Sequence, residues 1–336
     1  MKILYLPNCY SQQRQFQKKV FIYPILMAME ATKRKFEGHD VYWALKDTVG
    51  SGYATYDKII TEPEGLPFLL LPKPDRIFTR AMDYAFDNGN FKYPPGTYIM
   101  SSNTCWFRGC SFCVERKINK YELRDVNSVL DEIGECLKLG YKEIFDDSGT
   151  FPLGLWLAQF AEGMILRGYN KKIRIGCNMR LDYHHPNLEG MRDMRRAGFR
   201  MLLYGLESAN QATLDKLNKG INIDSAIQYI KWSAKAGLEP HISFMISYPW
   251  ETYEDTMRTI NLVKSLLLKG YAKTAQCSFY TPPKEQKQGN EGFRKYVNKF
   301  YEVGYNPLFW WNKLISLRSI NDLEYLWKSI KAGLFR

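Results

Sequence analysis

The sequence lacks the features of a membrane-spanning or secreted protein. No apolar run in its 336 residues approaches the roughly 20 residues that a membrane-spanning helix needs. Residues 1–15 carry one lysine and a short apolar stretch before they turn polar, which indicates a first β-strand rather than a secretory signal. The cysteines number seven, and an odd count argues against a disulfide framework. We therefore expect a cytoplasmic protein.

The bulk composition is that of a globular protein with an excess of positive charge. Hydrophobic residues make up 45% of the chain and charged residues 24%, and the length suffices for one large core or for a medium core with a small one. The net charge of +12 comes from basic residues spread along the chain, as expected for solvated helix faces. An anionic partner, such as nucleic acid or a phosphorylated substrate, stays open as the alternative.

From about residue 97 onward, short apolar runs alternate with amphipathic stretches. The six apolar runs, which we predict to be strands, cover residues 97–100, 143–145, 173–177, 200–207, 241–247 and 275–280. The stretches between them carry apolar residues at helical spacing, and Asp224 is the expected N-cap of the helix before the fifth strand. This alternation predicts parallel strands with helical crossovers, either in a partial (β/α) barrel or in an open doubly wound sheet.

The regions on either side differ from this alternating part. The predicted elements of the first region are strands at Lys2–Leu6, Asp40–Leu45 and Asp57–Thr61 and a helix at Ile25–Phe36. Proline is concentrated between residues 63 and 74, and the end of the chain is aromatic with a final helix near Asp322–Ala332. The expected domains are a small Rossmann-like α/β region at 1–75, a linker at 76–96, the alternating region at 97–283 and a C-terminal helical segment at 284–336.

Three of the seven cysteines lie close together. Cys105, Cys110 and Cys113 fall within nine residues, directly after the first strand of the alternating region, whereas the other four are scattered. Three thiolates are one ligand short of a closed zinc site, and no nearby histidine completes the set. An iron–sulfur cluster with three protein ligands, by contrast, would keep one iron open. The alternatives are ordinary buried cysteines and an incomplete zinc knuckle.

The cysteine segment resembles the cluster loop of the radical S-adenosylmethionine (SAM) superfamily, which is usually Cys-x3-Cys-x2-Cys. Phe112 matches the family's aromatic residue before the last cysteine, and the resemblance implies that its backbone contacts the adenine of SAM. Cys105 and Cys110 are separated by four residues instead of three, and we expect Gly109 to take up the extra residue in a tight turn. The resemblance implies two cofactors, a [4Fe–4S] cluster on the three cysteines and SAM on its open iron.

The resemblance extends over most of residues 97–283, where it is to the barrel of cobalamin-binding-type radical SAM proteins. It implies a partial (β/α)6 TIM-like barrel, in which functional residues gather at the carboxyl ends of the strands. Asp146, Asp147 and Ser148 follow the second strand and occupy the place of the family's Gly-Gly-Glu motif, which binds the amino group of SAM. The alternative for these residues is an acidic turn.

Three later strand ends carry further residues that the resemblance assigns to SAM. Arg180 stands in the family's Arg-x-Asp pattern and is expected to pair with the SAM carboxylate, with an ion pair to a neighbouring aspartate such as Asp182 as the alternative. Glu207 lies in a segment close to the family's Gly-Ile-Glu-Ser-Gly-Asn-Gln and is expected to bind ribose hydroxyls or the ammonium. Ser247 and Trp250 replace two glycines of the adenosine-binding segment. We expect Trp250 to pack within the fold, with a role in shaping the substrate pocket as the alternative.

Two features of the relatives have no counterpart in this sequence. Cobalamin-binding relatives carry an N-terminal Asp-x-His-x-x-Gly motif, and none of the four histidines here stands in such a motif. We therefore expect a shortened N-terminal region without histidine-ligated cobalamin, while cobalamin bound without a histidine ligand stays open. A second cysteine cluster is also absent, and Cys177 and Cys277 are expected to be core residues rather than catalytic ones.

The expected function is that of an oxygen-sensitive radical SAM enzyme. It would cleave SAM to a 5′-deoxyadenosyl radical, with an electron from a donor such as flavodoxin or ferredoxin, and modify a substrate that the sequence does not identify. No catalytic residue beyond the cofactor contacts is assigned. One alternative is methyl or other group transfer from SAM to nucleic acid or a peptide, and another is a non-catalytic partner protein that binds an iron–sulfur cluster or SAM.

Overall fold

The computed structural model describes residues 1–7, 23–44, 55–86, 90–118, 120–281, 291–315, 317, 319–324 and 326–327. Cys9 lies outside these ranges. Within them the chain forms two parallel sheets, one of three strands and one of six. None of the described helices is long and apolar enough to cross a membrane.

The small sheet is built near the amino terminus from short strands and one helix. Its elements are β1 (Lys2–Tyr5), α1 (Ile25–Phe36), β2 (Asp40–Trp43) and β3 (Lys58–Ile60), so the predicted helix and three strands are all found. The strands are parallel in the order β2-β1-β3. Glu30 of α1 is buried and accepts hydrogen bonds from the backbone N–H groups of Glu64 and Leu66, at 2.7 and 3.3 Å. These bonds fix the chain where it leaves the sheet.

The large sheet follows the predicted alternation of strands and helices. Its strands are β4 (Gly96–Ile99), β5 (Glu143–Asp146), β6 (Arg174–Met179), β7 (Phe199–Glu207), β8 (Glu239–Ile246) and β9 (Thr274–Phe279), each within two residues of its predicted limits. The crossover helices are α2 (Val126–Lys138), α3 (Leu155–Leu166), α4 (Leu188–Arg196), α5 (Gln211–Lys216), α6 (Ile223–Lys235) and α7 (Tyr253–Leu268). Two helices follow the last strand, α8 (Glu291–Tyr301) and α9 (Pro307–Ile315).

The order of the strands decides between the two architectures that the sequence left open. The sheet runs β4-β5-β6-β7-β8-β9 with every neighbouring pair parallel. A doubly wound sheet reverses its order at a switch point, whereas this one never does. Because crossovers of parallel strands are right-handed in nearly all proteins, a sequential order keeps the helices on one face and curls the sheet. The fold is therefore a partial barrel, and this prediction is confirmed.

Burial along β8 shows which face of the sheet lines the barrel. Buried and partly buried residues alternate over its whole length. Phe244, on the buried face, packs edge-on against Phe300 of α8 with 5.0 Å between ring centroids. Cys277 of β9 lies in register with Phe244 and is also buried, so it faces the helices, and Cys177 is fully buried as well. Both cysteines are core residues, as predicted, and the opposite face of the sheet lines the barrel interior.

Side chains at two helix starts fix where the chain turns after β7 and β8. The cap of α6 is Asn222, whose Oδ1 accepts the Ser225 N–H at 3.0 Å. The expectation that Asp224 caps this helix is wrong, because Asp224 lies in its first turn, where a carboxylate is favoured by the helix dipole instead. At the start of α7, the side chains of Thr252 and Asp255 each accept the other's backbone N–H at 3.1 Å.

The core is continuous between the two sheets. One hydrophobic cluster includes β1 residues such as Ile3 and barrel residues such as Ile144 and Leu202. Residues 320–324 are helical, and most of the helix predicted near 322–332 lies outside the described residues. The limits of the four predicted domains stay predictions.

A buried ion-pair network joins the linker before the barrel to the first crossover helix. Glu132 of α2 is fully buried and its two oxygens contact Arg76 and Arg124, each at 2.6 Å. Burial alone would raise the pKa of Glu132, but the two guanidiniums lower it. Arg76 and Arg124 also donate to the carbonyls of Tyr98 and Met100, at 2.8 and 3.0 Å. The network therefore fixes the segment that leaves β4.

Removing the carboxylate from this network should destabilise the fold. We expect Glu132→Ala to lower the free energy of unfolding by about 3–5 kcal/mol, because it leaves two buried guanidiniums without their carboxylate partner. Glu135→Ala, on the same helix, is the matched control: its ion pair with Lys73 joins side chains that are 42% and 43% exposed, and its loss should cost at most about 1 kcal/mol. Urea unfolding of both variants measures the difference, and equal losses would contradict this account.

Candidate cofactor site at the barrel mouth

The cysteine loop, of which the structure describes residues 101–118 and 120–124, crosses the carboxyl ends of the strands. The backbone N–H of Ser111 donates to the carbonyl of Leu217 at 2.9 Å. The side-chain amide of Asn218 donates to the carbonyl of Gly109 at 2.8 Å. Because Leu217 and Asn218 follow α5, which begins beyond the carboxyl end of β7, these bonds hold the loop over the barrel mouth.

The three cysteines of this loop differ in their access to solvent. Cys105 and Cys110 are buried, and Cys113 is partly exposed. Burial raises the pKa of the Cys105 thiol to about 11 and also raises the pKa of Cys113, with a smaller contribution from Cys110 in both cases. Within the described residues, no three histidine, cysteine or acidic side chains converge on a single ion. The donor set fits an iron–sulfur cluster better, because each cysteine ligand of a cluster binds a different iron.

Arg180, at the end of β6, connects the cysteine loop to two other segments. Its guanidinium carbon lies 3.9 Å from the centroid of the Phe107 ring. Its nitrogens donate to Asp182 Oδ2 at 2.6 Å, to the Lys219 carbonyl at 2.5 Å and to Cys110 Sγ at 3.6 Å. The ion pair with Asp182, which was the alternative from the sequence, is therefore present. The contact of Arg180 with the SAM carboxylate stays a prediction.

Gly109, which lies between Cys105 and Cys110, contacts the same Phe107 ring. A Cβ atom at Gly109 or at Gly220 would lie 2.8 Å from Cζ of Phe107, so both glycines are needed for the ring to fit. The φ angle of Gly109 is not in the left-handed region. Gly109 is therefore needed for packing and not, as expected, for a tight turn. Because it has no side chain, the Phe107 ring can approach its backbone.

A buried ion pair lies beside the cysteine loop at the end of β7. Glu207 Oε1 accepts a hydrogen bond from Lys219 Nζ at 2.8 Å, and both residues are 7% exposed. Burial would lower the pKa of Lys219, but Glu207 and the Cys110 thiol raise it above its usual value. Glu207 has a left-handed φ of 65°, and a Cβ at Gly205 would lie 2.4 Å from its carboxylate. Sequence reasoning missed Lys219, because a lone lysine after a helix end has no distinguishing pattern.

Two of the predicted SAM contacts support the start of the cysteine loop. Asp146 and Ser148 are fully buried. The Asp146 carboxylate accepts the hydroxyl of Ser101 at 2.5 Å, and the Ser148 hydroxyl accepts the backbone N–H groups of Ser101 and Ser102 at 3.0 and 2.8 Å. Burial raises the pKa of Asp146, and the hydrogen bonds from Ser101 and Ser148 oppose that rise. Direct contact of Asp146 and Ser148 with SAM stays a prediction.

Asp147 is solvent-accessible although it lies deep in the molecule, as expected for a group in a recess. Partial desolvation by the surrounding protein, together with the charges of Asp146 and Glu115, raises the pKa of Asp147 to about 7. Glu115 itself is turned toward the loop, where its Oε2 accepts the Thr104 hydroxyl at 3.1 Å and the Cys105 N–H at 3.2 Å. Acidic groups therefore lie on the β5 side of the mouth, and the Lys219 cation lies on the β7 side.

Aromatic residues line the remaining part of the mouth, after β8 and β9. The mouth cluster contains Leu217, Tyr248 and Tyr280, which are buried, and Phe112, Met245 and Trp250, which are partly buried. The Trp250 ring lies 5.3 Å from the rings of both Tyr248 and Tyr280, so the expectation that it packs within the fold is confirmed. Ser247 has a left-handed φ of 64°, just before this cluster. The sequence pattern does not distinguish these two tyrosines, although Tyr248 lies two residues after β8 and Tyr280 directly follows β9.

The comparisons with known proteins agree with this geometry. Residues 99–263 match the family model described as the radical SAM superfamily. The chain is 28% identical over 177 residues to an anaerobic magnesium-protoporphyrin IX monomethyl ester cyclase of Cereibacter sphaeroides, covering 52% of this chain and 28% of the cyclase. It is 27% identical over 226 residues to an uncharacterized methyltransferase of Pyrococcus horikoshii, covering 66% of this chain and 48% of the relative. The chain thus spans less than half the length of either relative.

One solved structure supports the fold. The radical SAM methyltransferase TsrM of Kitasatospora setae, with cobalamin and a [4Fe–4S] cluster bound, is similar with a TM-score of 0.51 and 18% identity. The match covers 62% of this chain and 38% of TsrM. Because TsrM binds cobalamin, the expectation that this chain lacks it is not confirmed and stays a prediction.

The raised pKa of Asp147 predicts how stability depends on pH. A carboxyl with a folded pKa near 7 and an ordinary unfolded pKa binds more protons in the folded state between those values, so the free energy of unfolding falls as pH rises from about 4 to 7. Asp147→Asn should remove this pH-dependent fall in the free energy of unfolding. Urea unfolding at pH 5 and 7.5 should show that the free energy of unfolding of the variant, relative to that of the wild type, is higher at pH 7.5 than at pH 5. A difference between variant and wild type that does not depend on pH would contradict the raised pKa of Asp147.

Proposed function

Since residues 99–263 belong to the radical SAM superfamily, we propose that this chain cleaves SAM reductively on a [4Fe–4S] cluster held by Cys105, Cys110 and Cys113. The observation that carries the proposal is three cysteines on one loop, anchored over the mouth of a parallel barrel. Three thiolates leave one iron for the amino and carboxylate groups of SAM. A reduced cluster held by these three cysteines would supply the electron for cleavage of SAM to methionine and a 5′-deoxyadenosyl radical, which would abstract hydrogen from the substrate.

Buried charges of the chain would orient the amino-acid end of SAM. Glu207 offers an acceptor for the ammonium and Lys219 a donor for the carboxylate, and their 2.8 Å pair holds both groups in place beforehand. Arg180 already binds Asp182 and the Lys219 carbonyl. We therefore assign the carboxylate of SAM to Lys219, and we assign Arg180 to holding the cysteine loop.

Other predicted contacts divide into direct and indirect ones. Asp147 is accessible in its recess and suits the SAM ammonium, while the Phe112 backbone and Ser247 border the part of the mouth that suits adenosine. Asp146 and Ser148 are fully buried and hydrogen-bonded to the start of the cysteine loop. Their role in this proposal is to position the loop.

The proposal includes no histidine-ligated cobalamin. Cofactors of open parallel sheets bind at the carboxyl ends of the strands. His39, the one histidine near the small sheet, directly precedes β2 and so lies at the opposite, amino end. The other histidines belong to the barrel, where His185 and His241 are hydrogen-bonded to Tyr204 and Thr274. We further propose a cytoplasmic location, because unpaired thiols are kept reduced there.

Substitution of a cluster ligand tests the proposal. Cys110→Ala should lose the bound iron and the reductive cleavage of SAM after anaerobic reconstitution. Cys136→Ala is the matched control, because Cys136 is buried like Cys110 but lies in the helical core, and this variant should keep both the iron and SAM cleavage. Iron analysis and mass analysis of SAM products measure the outcome. Full SAM cleavage by Cys110→Ala would contradict the proposal.

The products of the same reaction separate this function from its alternatives. Reductive cleavage gives 5′-deoxyadenosine, whereas S-adenosylhomocysteine formed on addition of candidate substrates would indicate methyl transfer. A chain that binds SAM but forms neither product under strong reductant would be a non-catalytic partner. We expect 5′-deoxyadenosine, with amounts unchanged by added hydroxocobalamin.

Lys219 should contribute to SAM affinity. Lys219→Met removes the buried cation and leaves Glu207 without its partner, so we expect at least tenfold weaker SAM binding to the reconstituted protein, or about 1.4 kcal/mol. Lys216→Met is the matched control, because Lys216 lies three residues earlier, is exposed and contacts the Trp250 ring instead. Isothermal titration measures both variants. Equal affinities of the two variants for SAM would contradict the assignment of Lys219.

A further inference from the structure

The proposed reaction needs an electron from outside the protein, and the loop offers one side for its entry. Cys105 and Cys110 are 9% and 5% exposed, whereas Cys113 is partly exposed. A donor that binds at the surface therefore comes nearest to the three cysteines at Cys113. The segment that follows Cys113 forms the surface at this point.

This segment, the loop patch, consists of Val114, Arg116, Lys117, Ile118 and Lys120. Val114, Arg116 and Lys117 lie on a 3-10 helix (Val114–Lys117), and Ile118 and Lys120 come after it. Val114 is 77% exposed, Ile118 is 37% exposed, and the three basic residues are exposed. The acidic residue of the segment, Glu115, turns inward and accepts the Cys105 N–H. The surface beside Cys113 is therefore basic with exposed aliphatic groups.

The basic groups of the loop patch are available for a partner. Among the residues that the structure describes, Arg116 and Lys117 form no ion pair. Lys120 contacts Glu122 at 3.5 Å, but its side chain is 77% exposed. Arg108 reinforces the patch, because its Nη1 donates to the Ile118 carbonyl at 2.9 Å. Charge complementarity thus favours an acidic partner.

We propose that the loop patch is the docking surface for an acidic one-electron donor protein, with a flavin or an iron–sulfur centre, that reduces the cluster through Cys113. This inference rests on the proposed function. An apolar centre with a charged rim is typical of protein interfaces, and electron-transfer interfaces are small enough for one short segment to dominate them. A surface for single-stranded nucleic acid would combine the basic groups with aromatic rings for stacking, and the loop patch has none.

Charge reversal on the loop patch tests the proposal with the full-length, reconstituted chain. The double variant Arg116→Glu/Lys117→Glu should be reduced by flavodoxin, an acidic flavin protein, with at least about a tenfold lower second-order rate constant at low salt, since steering contributes that much or more. The loss should shrink as ionic strength rises. Reduction by dithionite, which needs no docking, should stay unchanged.

The matched control reverses a similar basic pair at the other end of the barrel. Lys171 and Lys172 are exposed and lie at the end of a 3-10 helix (Tyr169–Lys171) just before β6, at the amino ends of the strands. Lys171→Glu/Lys172→Glu changes the net charge by the same amount and should be reduced by flavodoxin at the wild-type rate. The milder double variant Arg116→Gln/Lys117→Gln should lose less of the rate of reduction by flavodoxin than the charge-reversed variant does. It replaces the charge-reversed variant in the test if that variant binds less iron than the wild type.

The rates are read from the cluster absorbance, so they do not depend on SAM cleavage. If flavodoxin reduces both charge-reversed variants equally slowly, or reduces both at the wild-type rate, the proposed docking surface is wrong. An unchanged flavodoxin rate with lost binding of a single-stranded RNA would overturn it in favour of a nucleic-acid partner. Failure of the dithionite-reduced wild type to cleave SAM would instead count against the proposed function.

Discussion

The guanidinium of Arg180 holds together three parts of the chain on which the candidate site depends. It lies at the end of β6, packs on Phe107 of the cysteine loop and donates to Asp182, to the carbonyl of Lys219 and to the sulfur of Cys110. A buried guanidinium is costly unless its donors are satisfied. Here the three acceptors come from three different segments, so satisfying the donors of Arg180 requires the loop, the strand end and the chain after α5 to lie in one arrangement.

The remaining charges at the mouth follow the same physical rule. Glu207 and Lys219 are buried as a pair, and Asp146 is buried with hydroxyl and amide donors. Groups fixed in this way do not need to reorganise when a charged ligand binds, which is the condition for strong electrostatic binding in a site shielded from water. The left-handed φ angles of Glu207 and Ser247 fit this interpretation, because backbone strain of this kind persists where the surrounding structure enforces it.

The sequence predicted the strands and the cysteine loop because both have local signals, namely hydrophobic periodicity and cysteine spacing. It failed where two local solutions compete: Asn222 and Asp224 are both good caps, and only the fold selects Asn222. It also failed where the partner is distant in the sequence. The pairing of Lys219 with Glu207, and the packing of Phe107 against Gly109 and Gly220, depend on how the loop lies over the barrel.

The central claim is that the three cysteines hold a cluster with one iron open to SAM. Electron paramagnetic resonance of the anaerobically reconstituted and reduced chain, recorded before and after addition of SAM, tests it most directly. The account predicts the signal of a reduced [4Fe–4S] cluster and a change of that signal when SAM binds the open iron. Absence of the cluster signal, or a signal that SAM leaves unchanged, would contradict it.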